Sequence, residues 1–182
     1  MSGHPLVTAL VMVALPLGVF KGGGAIMGKV SERHDLPDHA PLFMRVRGYD
    51  RNAVELYWGK LETTLGRKAL DGERLFLELD LIFPFLYGAA LGASLLLGWG
   101  ALGKRFSAGW IVAPVALGVV ADWTENLVQL RQLQRFMAAG GAGLESRWIA
   151  VASAATSVKI VVLAGASLFV LVLAVLVLLR GR

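Results

Sequence analysis

The chain has 182 residues, 56% of them hydrophobic and 17% charged, with no cysteine and a mean hydropathy of +0.64. A soluble domain averages about 45–50% apolar and about 25% charged residues, so this composition excludes an ordinary soluble enzyme domain and a disordered chain. The lack of cysteine excludes a disulfide scaffold, a thiolate nucleophile and Cys-ligated zinc or iron–sulfur sites, and a net charge of only +5 requires no nucleic-acid partner.

About 20 mostly apolar residues cross ~30 Å of hydrocarbon at ~1.5 Å per residue. The first such stretch is residues 5–27, ending in Lys21-Gly22-Gly23-Gly24. Met1-Ser2-Gly3-His4 has no Lys or Arg, which favours a retained helix over a cleaved signal peptide. Lys21 is expected to snorkel towards the headgroups, and the glycine run to end or loosen the helix. It has no Walker spacing, and no cofactor is expected.

Residues 28–78 form a long first loop carrying nine basic and nine acidic residues. His34-Asp35-Leu36-Pro37-Asp38-His39 looks metal-like, but Pro37 prevents a regular helix and no further His lies near in sequence. A solvated acidic turn is the preferred reading, and no metal site is assigned. Further on, Asp50 is a candidate N-cap and Gly66 a C-terminal stop. Between them Ala53, Leu56, Tyr57, Leu61 and Leu65 recur at helical spacing, which predicts an amphipathic helix over Arg51–Leu65 on the membrane or the bundle mouth.

Spans two, three and four are predicted at residues 79–102, 110–133 and 148–179, the second beginning early, near Gly72, as a helix rising out of the bilayer. Trp99, Trp110 and Trp148 lie near span ends, where indole rings favour the interface. Period-2 alternation is absent, and unpaired backbone in lipid permits only helices or closed barrels. The fold class is therefore all-α: a single four-transmembrane-helix bundle with an amphipathic helix in the loop between helices 1 and 2. Loop one balances its charges, whereas Lys104, Arg105, Arg180 and Arg182 have no acids beside them. Short segments weigh more than long loops, which places both termini in the cytoplasm of a multi-pass cell-membrane protein.

Charges within spans are costly and usually functional. Asp122, Glu125, Asn126 and Gln129 fall at i, i+3, i+4 and i+7, one stripe of span three. Span two carries Asp80, Pro84, Tyr87, Leu91 and Ser94 on one stripe. Span four has Ala152, Thr156 and Lys159 at i, i+4 and i+7. Connectivity puts these groups in the half of the bilayer beneath loop one. The expectation is a polar chamber in which three carboxylates face Lys159 and Lys21, roofed by the loop-one helix and sealed beyond by apolar packing.

Three readings of the chamber stay open. It binds or processes a small or lipid-like ligand, with Asp122 or Glu125 as general acid/base, Lys159 stabilising negative charge, Tyr87 donating a proton, and Asp80, Asn126, Gln129 and Thr156 lining the site. It is instead a polar network that only fixes helix packing, in a structural or assembly subunit. Or it belongs to a proton- or cation-coupled carrier, which at this size implies an oligomer. The Gly88–Ala93 run offers a close-packing surface for a second copy or a partner subunit, though packing within the chain is the preferred use. Besides the bilayer, such a ligand and such a second copy or partner subunit, no partner is expected, and no nucleic acid.

The motifs Asp80-Leu81-Ile82-Phe83-Pro84-Phe85-Leu86-Tyr87, Asp122-Trp123-Thr124-Glu125-Asn126 and Lys159, with Gly48-Tyr49 ahead of the loop-one helix, resemble a pattern in uncharacterised bacterial four-helix integral membrane proteins. In those, D-x-x-F-P-x-x-Y, D-x-x-E-N and an intramembrane Lys recur in this order. The resemblance covers most of the chain and implies that Asp80, Tyr87, Asp122, Glu125, Asn126 and Lys159 belong together. It implies no substrate.

Overall fold

The structure, a computed structural model, describes residues 4–30, 41–103 and 107–181. The His34–His39 pattern, Lys104, Arg105 and Arg182 lie outside the described residues. Six α-helices run in the order α1 (Pro5–Val30), α2 (Arg51–Leu65), α3 (Arg67–Leu79), α4 (Phe83–Ala101), α5 (Ala108–Ala139) and α6 (Ser146–Arg180), with 3-10 turns at Leu42–Met44 and Gly140–Gly143. No strand occurs among the described residues. Four segments are long and apolar enough to cross a membrane: Pro5–Val30, Arg67–Ala101, Gly109–Gly143 and Ser146–Arg180. The protein is a multi-pass, all-α membrane bundle.

Helices α5 and α6 have 32 and 35 residues, roughly 48 and 52 Å, well beyond ~30 Å of hydrocarbon. The surplus lies on the loop-one side, where Arg131 and Arg135 are exposed on α5 and the amphipathic α2 and α3 pack against the bundle. Two cores result. Trp58, Leu61, Leu70, Leu77, Leu133 and Ile149 belong to one, built largely from α2, α3 and the projecting ends of α5 and α6. Met12, Leu91, Leu95, Val115, Val170 and Leu173 belong to the other, in the far half of the bundle.

Helix α2 has the predicted limits. The Asp50 carboxylate accepts from the Ala53 amide at 2.8 Å, satisfying a donor that the first turn leaves open. Gly66 ends the helix at φ +78°, a backbone state favourable only for glycine. The buried face is turned from the expected one. Val54, Tyr57, Trp58 and Leu61 are inside, while Leu56 is 54% exposed. The second span does begin early, at Arg67 rather than near Gly72, and its first part, α3, is an amphipathic helix set off from α4 by a turn at residues 80–82. Helix α3 buries Ala69, Leu70, Glu73, Phe76 and Leu77. Arg51 and Arg67 fasten this layer to α5 and its end by donating to the Gly141 carbonyl (2.9 Å) and the Met137 carbonyl (2.7 Å).

The chain breaks between α3 and α4 because Pro84 has no N–H to return to the Asp80 carbonyl. The Phe85 amide turns to Ile82 instead (3.1 Å), which also leaves the Leu81 carbonyl without its helical donor. Both carbonyls are taken up by α5: the Asn126 amide donates to Asp80 O at 3.1 Å, and the Trp123 indole to Leu81 O at 3.0 Å. Helix α5 thereby replaces the hydrogen bonds that the proline removes.

The glycine run does not end α1, which continues to Val30. Gly23 lets α1 approach α4 so closely that an added Cβ would collide with the Phe83 ring. The Gly88–Ala93 run also packs inside the chain, with Gly88 facing Val119 and Gly92 facing Val112 of α5. Gly23→Ala is expected to lower stability by about 1–3 kcal/mol through overpacking. Gly24→Ala, where a Cβ meets nothing within 4 Å, should be neutral or stabilising by up to about 1 kcal/mol. Thermal unfolding of the two variants in one detergent checks the contrast.

Candidate functional site

Between the two cores lies a polar cluster that joins all three predicted stripes. Lys159 of α6 is buried and extends its ammonium to α5, 2.9 Å from Asp122 Oδ1 and 2.5 Å from Glu125 Oε2. The ammonium is thus held between two carboxylates of the same helix. Asp122 and Glu125, one turn apart, face α6 together, as their i, i+3 spacing requires. From α4 the Tyr87 hydroxyl donates to Asp122 Oδ2 at 2.7 Å. Asn126 directs one amide nitrogen to Asp80 Oδ2 (3.1 Å) and Asp122 Oδ1 (3.3 Å) as well as to the Asp80 carbonyl.

On the loop-one side the network continues through a residue that the sequence did not single out as a site residue. The Gln129 amide donates to Glu125 Oε1 (3.0 Å) and to the Tyr49 oxygen (2.8 Å). The Thr156 hydroxyl lies between that same oxygen (3.4 Å) and the Ala152 carbonyl (3.0 Å). Tyr49 is held in place by its own backbone, whose N–H donates to the Ser153 hydroxyl at 2.7 Å. The neighbouring Gly48-Tyr49 motif was the available signal, but an isolated loop tyrosine has no periodicity to reveal which way it points. Gln132 was also missed, although at i+3 from Gln129 it continues the stripe. It is buried and accepts from the Glu145 amide at 2.9 Å, where α6 begins.

All eight predicted residues, Asp80, Tyr87, Asp122, Glu125, Asn126, Gln129, Thr156 and Lys159, are buried and joined in this network. Lys21 is not among them. It is exposed on α1, so three carboxylates face one ammonium among the described residues, not two. Nor does α2 roof the cluster. The cover is the segment Pro41–Tyr49 together with α3.

Beside the cluster is a cavity of about 530 Å³. Its floor carries Asp80, Tyr87, Asp122 and Lys159, and its walls are apolar. Glu125, Gln129 and Thr156 lie behind the floor and do not line it. The aromatic wall sets Tyr87: Phe20 stacks on its ring at 5.5 Å and Phe83 meets it edge-on at 5.5 Å. Exposed Gly24 and Met44 line the cavity and mark its mouth, between α1 and the Pro41–Met44 segment. On the far side the last buried polar side chain among the described residues is Ser94, whose hydroxyl turns back to the Ala90 carbonyl at 2.8 Å. Among the described residues no group of three or more His, Cys, Asp or Glu side chains is arranged to hold a metal ion.

No protein-family model, curated protein or solved structure matches this chain.

Two outcomes test the network. Lys159→Met strands two buried carboxylates and should cost about 3–5 kcal/mol. Adding Asp122→Asn and Glu125→Gln removes the stranded charges and should recover most of that loss, read as unfolding free energy in mixed micelles. Tyr49, outside the spanning segments, supplies the second. Burial pushes its phenol up to about 12, with Glu125 adding and the Thr156 and Gln129 contacts opposing, from an ordinary value near ~10. Between those values the unfolded chain has lost a proton that the folded chain keeps, so stability falls as pH rises. The unfolding midpoint of wild type should therefore decline more steeply across this alkaline window than that of Tyr49→Phe.

Proposed function

We propose that this multi-pass protein resides in the cell membrane with both termini cytoplasmic, and that it binds a small or lipid-like molecule in the cavity between α1 and the polar cluster. The observation that carries this reading is the cavity's division into apolar walls and a floor of Asp80, Tyr87, Asp122 and Lys159. Ligand sites are concave, largely apolar and furnished with a few convergent polar groups, usually at ~300–1,000 Å³. The mouth beside Gly24 and Met44 is next to exposed apolar residues such as Ile26, so an apolar molecule can enter from the lipid side.

Processing the ligand is the fuller form of the reading. The Tyr87 hydroxyl and Asp122 are already paired at 2.7 Å, an arrangement able to pass a proton to or from a bound molecule. Lys159, at the same floor, can stabilise negative charge that develops there.

A structural or assembly role is the second reading, favoured by one specific observation. Lys159 pairs with both Asp122 and Glu125 without any ligand, as it would in a cluster that only sets helix packing. A proton or cation carrier gains less support, because among the described residues the buried polar side chains continue into the far half of the bundle no further than Ser94.

The test is extraction and mass spectrometry of molecules that copurify with the protein in a mild detergent. Wild type should carry a reproducible amphiphile at near one-to-one ratio. Gly24→Leu, which places a side chain at the cavity wall, should lose it. Gly165→Leu, on an exposed position of α6 outside the cavity, should retain it. Equal retention by both variants would leave the structural reading in place.

A further inference from the structure

Asp80 differs from the other two acids of the cluster. Asp122 and Glu125 hold Lys159 between them, whereas Asp80 forms no ion pair among the described residues. The neutral amide of Asn126 donates to its side chain at 3.1 Å. The carboxylate is 8% exposed and belongs to the cavity floor.

The walls around it are rich in aromatic rings. Phe76 lies one turn before Asp80 on α3, Phe83 and Tyr87 follow on α4, and Phe20 and Phe43 complete the set lining the same cavity. Phe43 stacks on Phe76 at 5.6 Å, so the rings form two clusters, Phe43–Phe76 and Phe20–Phe83–Tyr87. Ring faces carry negative potential and attract cations, most of all where water is excluded.

The charge at the floor has one sign in excess. Lys159 reaches the cavity, but its ammonium is shared by two carboxylates. An anionic headgroup would meet Asp80 and Asp122 and find a cation already neutralised. A neutral headgroup would offer the Asp80 carboxyl a hydrogen bond at most. A cationic nitrogen would pair with the carboxylate and could rest against the Phe20–Phe83–Tyr87 rings as well.

Resting on the reading of this cavity as a ligand site, we infer that its occupant is an amphiphile with a cationic nitrogen. The nitrogen sits beside Asp80 among the rings, and the chain lies along Met27, Met44 and Leu163. Charge complementarity selects the headgroup, and the apolar walls accept the tail without regard to its detail.

A series with one tail and three headgroups tests this: dodecyltrimethylammonium, dodecanol and dodecyl phosphate, titrated into the full-length protein in maltoside micelles. Binding is read by thermal stabilisation and native mass spectrometry, and Gly24→Leu corrects for micelle partition. The ammonium compound should bind saturably and roughly ten- to a hundredfold more tightly than either homologue, as a charge-assisted contact allows. Asp80→Asn should abolish most of that preference. Phe83→Leu keeps the wall apolar and removes one ring face, and should weaken the ammonium compound while leaving dodecanol unchanged. It also carries the test if Asp80→Asn does not fold.

Saturable binding with dodecanol or dodecyl phosphate equal or tighter would overturn the cationic assignment and leave the cavity as a ligand site. An ammonium preference undiminished in both variants would overturn the assignment to Asp80 and the rings. No saturable binding by any of the three would overturn both this inference and the reading on which it rests.

Discussion

One buried ammonium sets the arrangement of the bundle. Lys159 reaches from α6 to two carboxylates that α5 presents one turn apart, and that bifurcated contact fixes the depth and the rotation of the two longest helices. A charge this buried is costly to separate from its partners, so a rotation that strands it carries a penalty of several kcal/mol. The second oxygen of Asp122 is then directed at Tyr87 of α4, and the second oxygen of Glu125 at Gln129. From Gln129 the chain of contacts passes to Tyr49 in the first loop. Three spanning helices and one loop are thus aligned by successive hydrogen bonds, each depending on the one before.

The cluster lies where the two cores meet. Beyond it, small and aliphatic side chains of α1, α4 and α6 close the far half of the bundle. On the near side α2 and α3 cover projecting lengths of α5 and α6 with a core of a soluble type, aromatic and leucine-rich. Pro84 makes the transition possible. It interrupts the path from α3 to α4, frees two carbonyls, and lets Asn126 and Trp123 take them. The same break presents Asp80 to the cavity and not to the interior of a continuous helix. Backbone chemistry and site chemistry are therefore coupled at one proline.

Much of this was legible from spacing alone. Asp122, Glu125, Asn126 and Gln129 could only share a face, and four polar groups on one face of an apolar helix cannot all turn to lipid. Loop connectivity then placed Lys159 at the matching depth. The limits of α2 were legible too, because a capping carboxylate and a left-handed glycine are local devices. The buried face of α2 was not. Ala53, Leu56, Tyr57, Leu61 and Leu65 make one apolar stripe, but Val54 and Trp58 make an adjacent one, and the choice depends on where Leu133 and Phe136 of α5 lie. Lys21 shows the opposite failure. Its depth in the sequence suggested the cluster, yet a lone charge on an apolar helix has no periodic partner to disclose its direction, and it faces outward.

What the sequence determined by itself were locally carried properties: the apolar spans, the ends of α2 and the polar stripes. Helical geometry alone converts such spacings into faces and depths. Only the tertiary structure decided what the faces meet. It placed Tyr49 on Gln129, turned Lys21 away, covered the cluster with the Pro41–Tyr49 segment and left Asp80 facing a cavity. These outcomes depend on contacts far apart in the chain, such as Gln129 with Tyr49 at 80 positions and Tyr49 with Ser153 at 104, set by how whole helices pack, and no local pattern in the chain encodes the angle at which two helices cross.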